Sequence, residues 1–360
     1  MRLNLKSYFL PSLFLGILTS CVSLENSSQL ETQRPLMEDI KKAYKTFANK
    51  EGENFFEDGS VKYLSIKGDG ISRHFYGVHK DKLTDSFPYS KFKAEIRKKM
   101  GINAKKLFQI IGSVNPPFEP KGGEYARQWF YDKIKDADII EYGVTSGGKI
   151  EVPTVNAFVS YGMEQGKIDS SKVLGNVVGD SVYVAEKYNA NFSPKIQHLV
   201  LVYNETSPER DVNGDYPKER TIFGDDVNIS DRIMNKEDGD EMILVDGGVQ
   251  SLQQAVTALR SGVKVTSIYG IKFSKEYLSA AEFLAGLKAR LEKTNNWTIQ
   301  TAKDYYAEYL TTRKGWNPEA HDAYTKQVLL DRIQAELFEK EPLNNLLSLF
   351  DSIDYEKIQK

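Results

Sequence analysis

Three short glycine clusters carry the chemistry this chain could do: Gly112-Ser113, Thr145-Ser146-Gly147-Gly148 and Asp246-Gly247-Gly248. Each follows an apolar, strand-like run: KLFQIIG over 106–112, DIIEY over 138–142 and MILV over 242–245. A glycine turn at the carboxyl end of a parallel strand leaves backbone N–H groups unbonded where the next helix starts. Those groups and the helix dipole suit an anion, typically a phosphate. The same double glycine would also serve a plain, close strand-to-helix connection with no ligand. Metal chemistry finds no such footing. His74, His79, His198 and His321 are scattered, and neither HExxH nor a Cys/His cluster occurs, so no metal and no cofactor is expected.

The elements around the third cluster are the most fully drawn. Leu252, Val256 and Leu259 stripe a helix, Gly262 stops it, and a β-branched run follows over 263–268. Strand, turn, helix and strand make a βαβ unit of about 30 residues. Upstream, Leu36, Ile40, Tyr44 and Phe47 space out an amphipathic helix, Val61 to Ile66 alternates like a strand, and 67–70 is a turn. Phe92, Ile96 and Met100 mark a helix over 89–100, and Arg73-His74-Phe75-Tyr76 reads as a passage from surface to core. Helices are expected over 124–137 and from Val155, strands over 173–178 and 198–203, and a mobile charged loop over 204–220. A short strand over 221–223 and a helix over 229–234 precede the βαβ unit. The last ninety residues or so read as helical throughout, with Ser274 as an N-cap and Leu284, Leu287 and Leu291 as a stripe. Helices over about 299–312 and 318–340, and one beyond Pro342, complete them.

The alternation over 106–271 implies an α/β fold: a Rossmann-like, doubly wound, mostly parallel sheet whose three glycine turns gather on one edge. An α+β N-terminal cap and a helical C-terminal extension flank it. The expected divisions are 1–20, 21–36, 37–103, 104–273 and 274–360. With 40% apolar residues, 27% charged residues and a net charge of −2, the balance is that of a globular body with no pull toward nucleic acid.

The first twenty residues differ in kind. Arg2 and Lys6 precede an apolar stretch from Tyr8 to Leu18, too short to span a bilayer comfortably and laid out like a signal peptide. It ends Leu18-Thr19-Ser20-Cys21, which resembles the bacterial lipoprotein box. The resemblance implies cleavage before Cys21, acylation there, and stable membrane anchoring through several acyl chains. Val22 after the cysteine resembles outer-membrane sorting in a Gram-negative cell. The polar stretch from Ser23 to Pro35 then reads as a flexible tether.

The glycine clusters, taken in order, resemble the Rossmann-like nucleotide-binding superfamily that includes the LOG proteins, often mislabelled lysine decarboxylases. In that family one strand ends in glycine-serine and a second in a glycine cluster. A later proline-glycine-glycine turn continues into glycine, threonine and a catalytic glutamate on a helix. Here the last turn runs Asp246-Gly247-Gly248-Val249-Gln250-Ser251-Leu252-Gln253-Gln254. The resemblance covers about 170 of the 360 residues. It implies ligand contacts at Gly112, Ser113, Thr145, Ser146, Gly147, Gly148, Asp246, Gly247, Gly248, Gln250 and Ser251. It also places the family's catalytic pair near Arg232 and at Gln254. The departures are Asp246 for proline, Gln250 for the third glycine, Ser251 for threonine and Gln254 for glutamate. An amide does no acid–base work near neutral pH, although it can still hold a ribose hydroxyl. A carboxylate at Asp246 repels a phosphate unless it is paired.

Three functions stay open. The first is a lipid-anchored envelope protein whose divergent domain binds a nucleotide-like or other phosphate-bearing ligand without efficient catalysis. The second is an active phosphoribohydrolase-like enzyme cleaving N-glycosidic bonds, with Asp225, Asp226, Glu237 or Asp246 as acid–base group. The third is an envelope scaffold that uses its helical C-terminus to bind a protein. The expected partners are a nucleotide-like small molecule and a membrane reached through the anchor. Nucleic acid is not expected, and the oligomeric state, a homodimer included, stays open.

Overall fold

The computed structural model describes residues 36–68, 70–103, 105–112, 120–143, 155–178, 193–203, 229, 232–245, 249–269, 280–296, 298, 300–302, 304–305, 308 and 343–357. Several sequence readings fall outside them: the leader, Cys21 and the tether, the 204–220 loop, the 221–223 strand, the N-cap at Ser274 and the 318–340 helix.

Buried apolar runs supply the centre of the sheet. Strands β4 (Leu107–Gly112), β5 (Ile139–Gly143), β6 (Val173–Val178), β7 (His198–Tyr203), β8 (Glu241–Val245) and β9 (Lys264–Tyr269) are all parallel to their neighbours. Near-continuous hydrophobic stretches are what a strand covered on both faces needs. Three further strands precede them: β1 (Glu53–Asn54), β2 (Val61–Gly68) and β3 (Ile71–His79). With β10 (Asp354–Lys357) they complete one ten-stranded sheet in the order β1-β2-β3-β7-β6-β5-β4-β8-β9-β10.

Helices cover both faces, as a doubly wound sheet requires. On one side lie α1 (residues 36–48), α3 (Pro120–Ile134) and α4 (Val155–Glu164). Leu36, Ile40, Phe47, Phe130, Ile134, Phe158 and Met163 share one core with Phe108, Ile110, Tyr142 and Leu201. The other side carries α2 (Tyr89–Met100), α5 (Val249–Arg260), α6 (Ala280–Thr294) and α7 (Leu343–Asp351). Phe92, Ile96, Ala255, Val256, Leu287, Leu291, Leu347 and Phe350 pack there with Leu107, Ile111, Ile139 and Leu244. The chain therefore winds from β4 toward β7 along one face and from β8 toward β10 along the other. Neighbouring β4 and β8 mark where the direction reverses.

Three segments differ from their sequence reading. The N-terminal strands extend the main sheet, with β2 and β3 forming an antiparallel hairpin and β3 pairing parallel with β7. Arg73-His74-Phe75-Tyr76 lies within β3, and the buried Arg73 guanidinium donates to Asp39 at 2.6 Å and to the Pro194 carbonyl at 2.8 Å. The C-terminal segment ends in a strand, since β10 pairs parallel with β9. Residues 232–235 are not helical. There the Asn235 side chain accepts from the Glu237 N–H, and Asp240 accepts from the Asn235 N–H. Such local side-chain bonds compete with helix continuation.

Candidate functional site at the strand crossover

The three strands that lead into the glycine clusters are adjacent. β5 and β8 flank β4 on either side, all run parallel, and their carboxyl ends lie on one edge. Gly112 is opposite Val245, the last residue of β8, and Gly143 closes β5 opposite Asn176 of β6. Ser113, Thr145, Ser146, Gly147, Gly148, Asp246, Gly247 and Gly248 lie outside the described residues. The strands that deliver them nevertheless converge on the crossover between β4 and β8. In open α/β sheets that crevice, beyond the carboxyl ends at the reversal point, is where ligands bind.

Helix α5 starts at Val249, four residues after β8 ends, so its N-terminus opens at the same edge. Gln250 lies in its first turn. Ser251 is buried and aligns with Ala255 and Ala258 on the stripe facing the sheet, while Gln254 is half-buried on the flank. Positive φ at Gly262, 71°, ends the turn after α5.

The other acid–base candidates separate. Arg232 donates to the Leu83 carbonyl at 3.1 Å and the Tyr89 hydroxyl at 2.9 Å, and its guanidinium lies 5.8 Å from the Tyr89 ring centre. Among the described residues no bond joins it to Gly112, Ser251 or Gln254. Glu237 is exposed on the 3₁₀ turn Lys236–Asp238, just before the amino end of β8, at the edge opposite the glycine turns. Asp225 and Asp226 lie outside the described residues, as does Asp246.

The amino edge is held by charge. Buried Lys93 of α2 donates to Asp238 at 2.9 Å and to Asp240 at 2.5 Å, and Asp240 also accepts the Leu107 N–H at 2.8 Å. Buried Glu241 accepts from Thr266 at 2.6 Å and pairs with Lys133 at 3.2 Å. Burial raises its carboxyl pKa, but the Thr266 hydroxyl, Lys133 and Lys264 outweigh that and hold it below the ordinary value. Lys133 also reaches Glu356 of β10 at 2.7 Å, and Trp129 Nε1 donates to the same carboxylate at 3.1 Å. These contacts bind elements to one another.

One group of polar residues was missed in the sequence reading. Gln109 of β4 is in register with Glu141 of β5, and both are about 1% exposed. Asn176 of β6, 7% exposed, stands one strand further along and two residues nearer the carboxyl edge, because Leu174 is opposite Glu141. The three share the face of Leu107, Ile139 and Leu174 and interrupt its apolar packing. The signal was present as a single polar residue within each apolar run, LFQIIG, IIEYG and VLGNVV.

Among the described residues no group of three or more His, Cys, Asp or Glu could hold a metal ion, and no helix is long and apolar enough to cross a membrane. Comparison with known protein families and with curated proteins finds no match for this chain.

Proposed function

We propose that the chain is a lipid-anchored cell-envelope protein whose divergent, LOG-like domain binds a nucleotide-like or other phosphate-bearing small molecule and turns it over slowly at most. The observation that carries this reading is the crossover between β4 and β8. Gly112 and Val245 end side by side there, and the N-terminus of α5 opens beside them. A phosphate placed at that edge would meet backbone N–H groups and the positive end of a helix dipole, neither of which depends on side-chain identity. Weak turnover follows from Gln254, the amide in the position of the family's glutamate, and from Arg232, whose described bonds run to Leu83 and Tyr89.

The test is calorimetry of the purified protein with AMP, alongside an assay for free base released from nucleoside monophosphates. Binding is expected. Release should run about 10²–10⁴-fold below what a positioned acid–base group supports. Turnover on the order of 1 s⁻¹ or faster would instead mark an active hydrolase with another carboxylate in the role. Absence of any AMP binding would favour the envelope scaffold.

A further inference from the structure

We infer that Gln109, Glu141 and Asn176 form the polar floor of the ligand site and receive the donor-rich, non-phosphate end of the bound molecule. This rests on the reading of the glycine turns as a phosphate site. A strand covered on both faces is normally apolar at each position, because a buried amide or carboxylate loses its water. Here three neighbouring strands each place one polar side chain on the same buried face, in registered or adjacent rows. Gln109 is the decisive member. Its Oε1 is fully buried and accepts no hydrogen bond among the described residues. An unmade bond of that kind costs stability and requires an explanation outside packing.

The chemistry on offer is specific. A carboxylate and two carboxamide oxygens accept hydrogen bonds, so the matching ligand group carries hydroxyls or amines. The same carboxylate disfavours a phosphate, which leaves the phosphate to the glycine turns and the start of α5. Glu141 is two strands from β8 and two residues below the end of β5, which puts it on the order of 10 Å from the end of β8. A bare phosphate cannot bridge that span. A nucleoside monophosphate matches it, with ribose or base hydrogen-bond donors directed to the floor.

The experiment measures three probes, AMP, adenosine and inorganic phosphate, on the purified protein and on its Gln109→Met and Glu141→Gln variants, together with each protein's melting temperature without ligand. Replacing this amide by an apolar group of similar shape should leave the melting temperature equal or higher, since its orphaned Oε1 has no bond to lose. AMP affinity should fall about 10- to 100-fold in Glu141→Gln, the range for a charge-assisted bond, and also fall in Gln109→Met. Inorganic phosphate binding should not change. If adenosine binds the unchanged protein and phosphate does not, the glycine-turn reading fails while the floor stands. A lower melting temperature for Gln109→Met would assign the amide a structural role and overturn the inference. So would unchanged AMP affinity in both variants, or failure of both AMP and adenosine to bind the unchanged protein.

Discussion

The stacked imidazoles of His74 and His198 make the fold sensitive to acid. They stand on adjacent strands β3 and β7, with ring centres 4.8 Å apart and planes tilted by 15°. Each Nδ1 is bonded to a tyrosine hydroxyl: His74 to Tyr63 at 2.6 Å and His198 to Tyr76 at 2.9 Å. Lys99 lies over the Tyr63 ring, 4.4 Å from its centre, so a cation faces the group from α2 as well. Burial, and then repulsion from His74, push the His198 imidazole down to about 3, and burial followed by Lys99 lowers His74 too. An unfolded histidine takes its proton near pH 6.5, so below that pH the unfolded chain binds more protons than the native one. Stability is therefore full above about pH 6.5 and is lost as the pH falls from there toward 3. Each pH unit in that window should cost on the order of 1 kcal/mol for His198. Denaturant unfolding between pH 7.5 and pH 5 measures this, and His198→Gln should flatten the slope. An equal slope in both proteins would remove the histidines as its cause.

Packing of one element on another sets what a single methyl group can do. A Cβ on Gly77 of β3 would overlap the ring of Phe47, the buried aromatic by which α1 seats on the sheet. Gly77→Ala should lower stability by about 1–3 kcal/mol, the usual result of overpacking a filled core. Gly68→Ala, at the end of β2 where nothing lies within 4 Å, should change it little. Urea midpoints compare the two, and equal midpoints would mean that α1 is not clamped there. Helix α1 was itself legible, since Leu36, Ile40, Tyr44 and Phe47 recur at helical spacing and all are buried. So were β4 to β9, whose apolar runs are long and continuous. β3 was hidden because Arg73 and His74 break its apolar pattern, and their burial depends on Asp39, Pro194, Tyr63 and His198, which lie elsewhere in the chain. β10 was hidden for a related reason. Asp-Tyr-Glu-Lys has no strand signature, and its place at the edge is supported by Lys264 on Asp354 at 3.0 Å and by Lys133 and Trp129 on Glu356. At the candidate site, the strands that lead into the glycine clusters could be read from local order. That Gln109 and Glu141 stand side by side could not, because register is a property of two strands and not of either one.

For the molecule as a whole, the lipoprotein reading assigns the membrane attachment to the proposed anchor. Both faces of the sheet are covered by helices, and among the described residues none of those helices is long and apolar enough to cross a bilayer. A net charge of −2 offers no overall electrostatic attraction to an anionic lipid surface. The apolar stretch from Tyr8 to Leu18 is short for a span, and in the lipoprotein reading it is removed with the leader. In that reading an acylated Cys21 would hold the folded body, through a polar segment over 22–35 whose fully extended length is roughly 50 Å. Two or more acyl chains on one residue resist washing, whereas a peripheral charge contact does not, because salt screens it. Cys21→Ser should accordingly move the protein from the membrane pellet to the soluble fraction, or block processing of the leader. The melting temperature and AMP affinity of any processed protein should stay unchanged, since the proposed site is built at the carboxyl edge of the sheet and the substitution is at Cys21. Cell fractionation with a high-salt wash reads the first outcome. Processed Cys21→Ser protein that still pelleted with membranes after that wash would rule out the acyl anchor and place the attachment on the folded body itself.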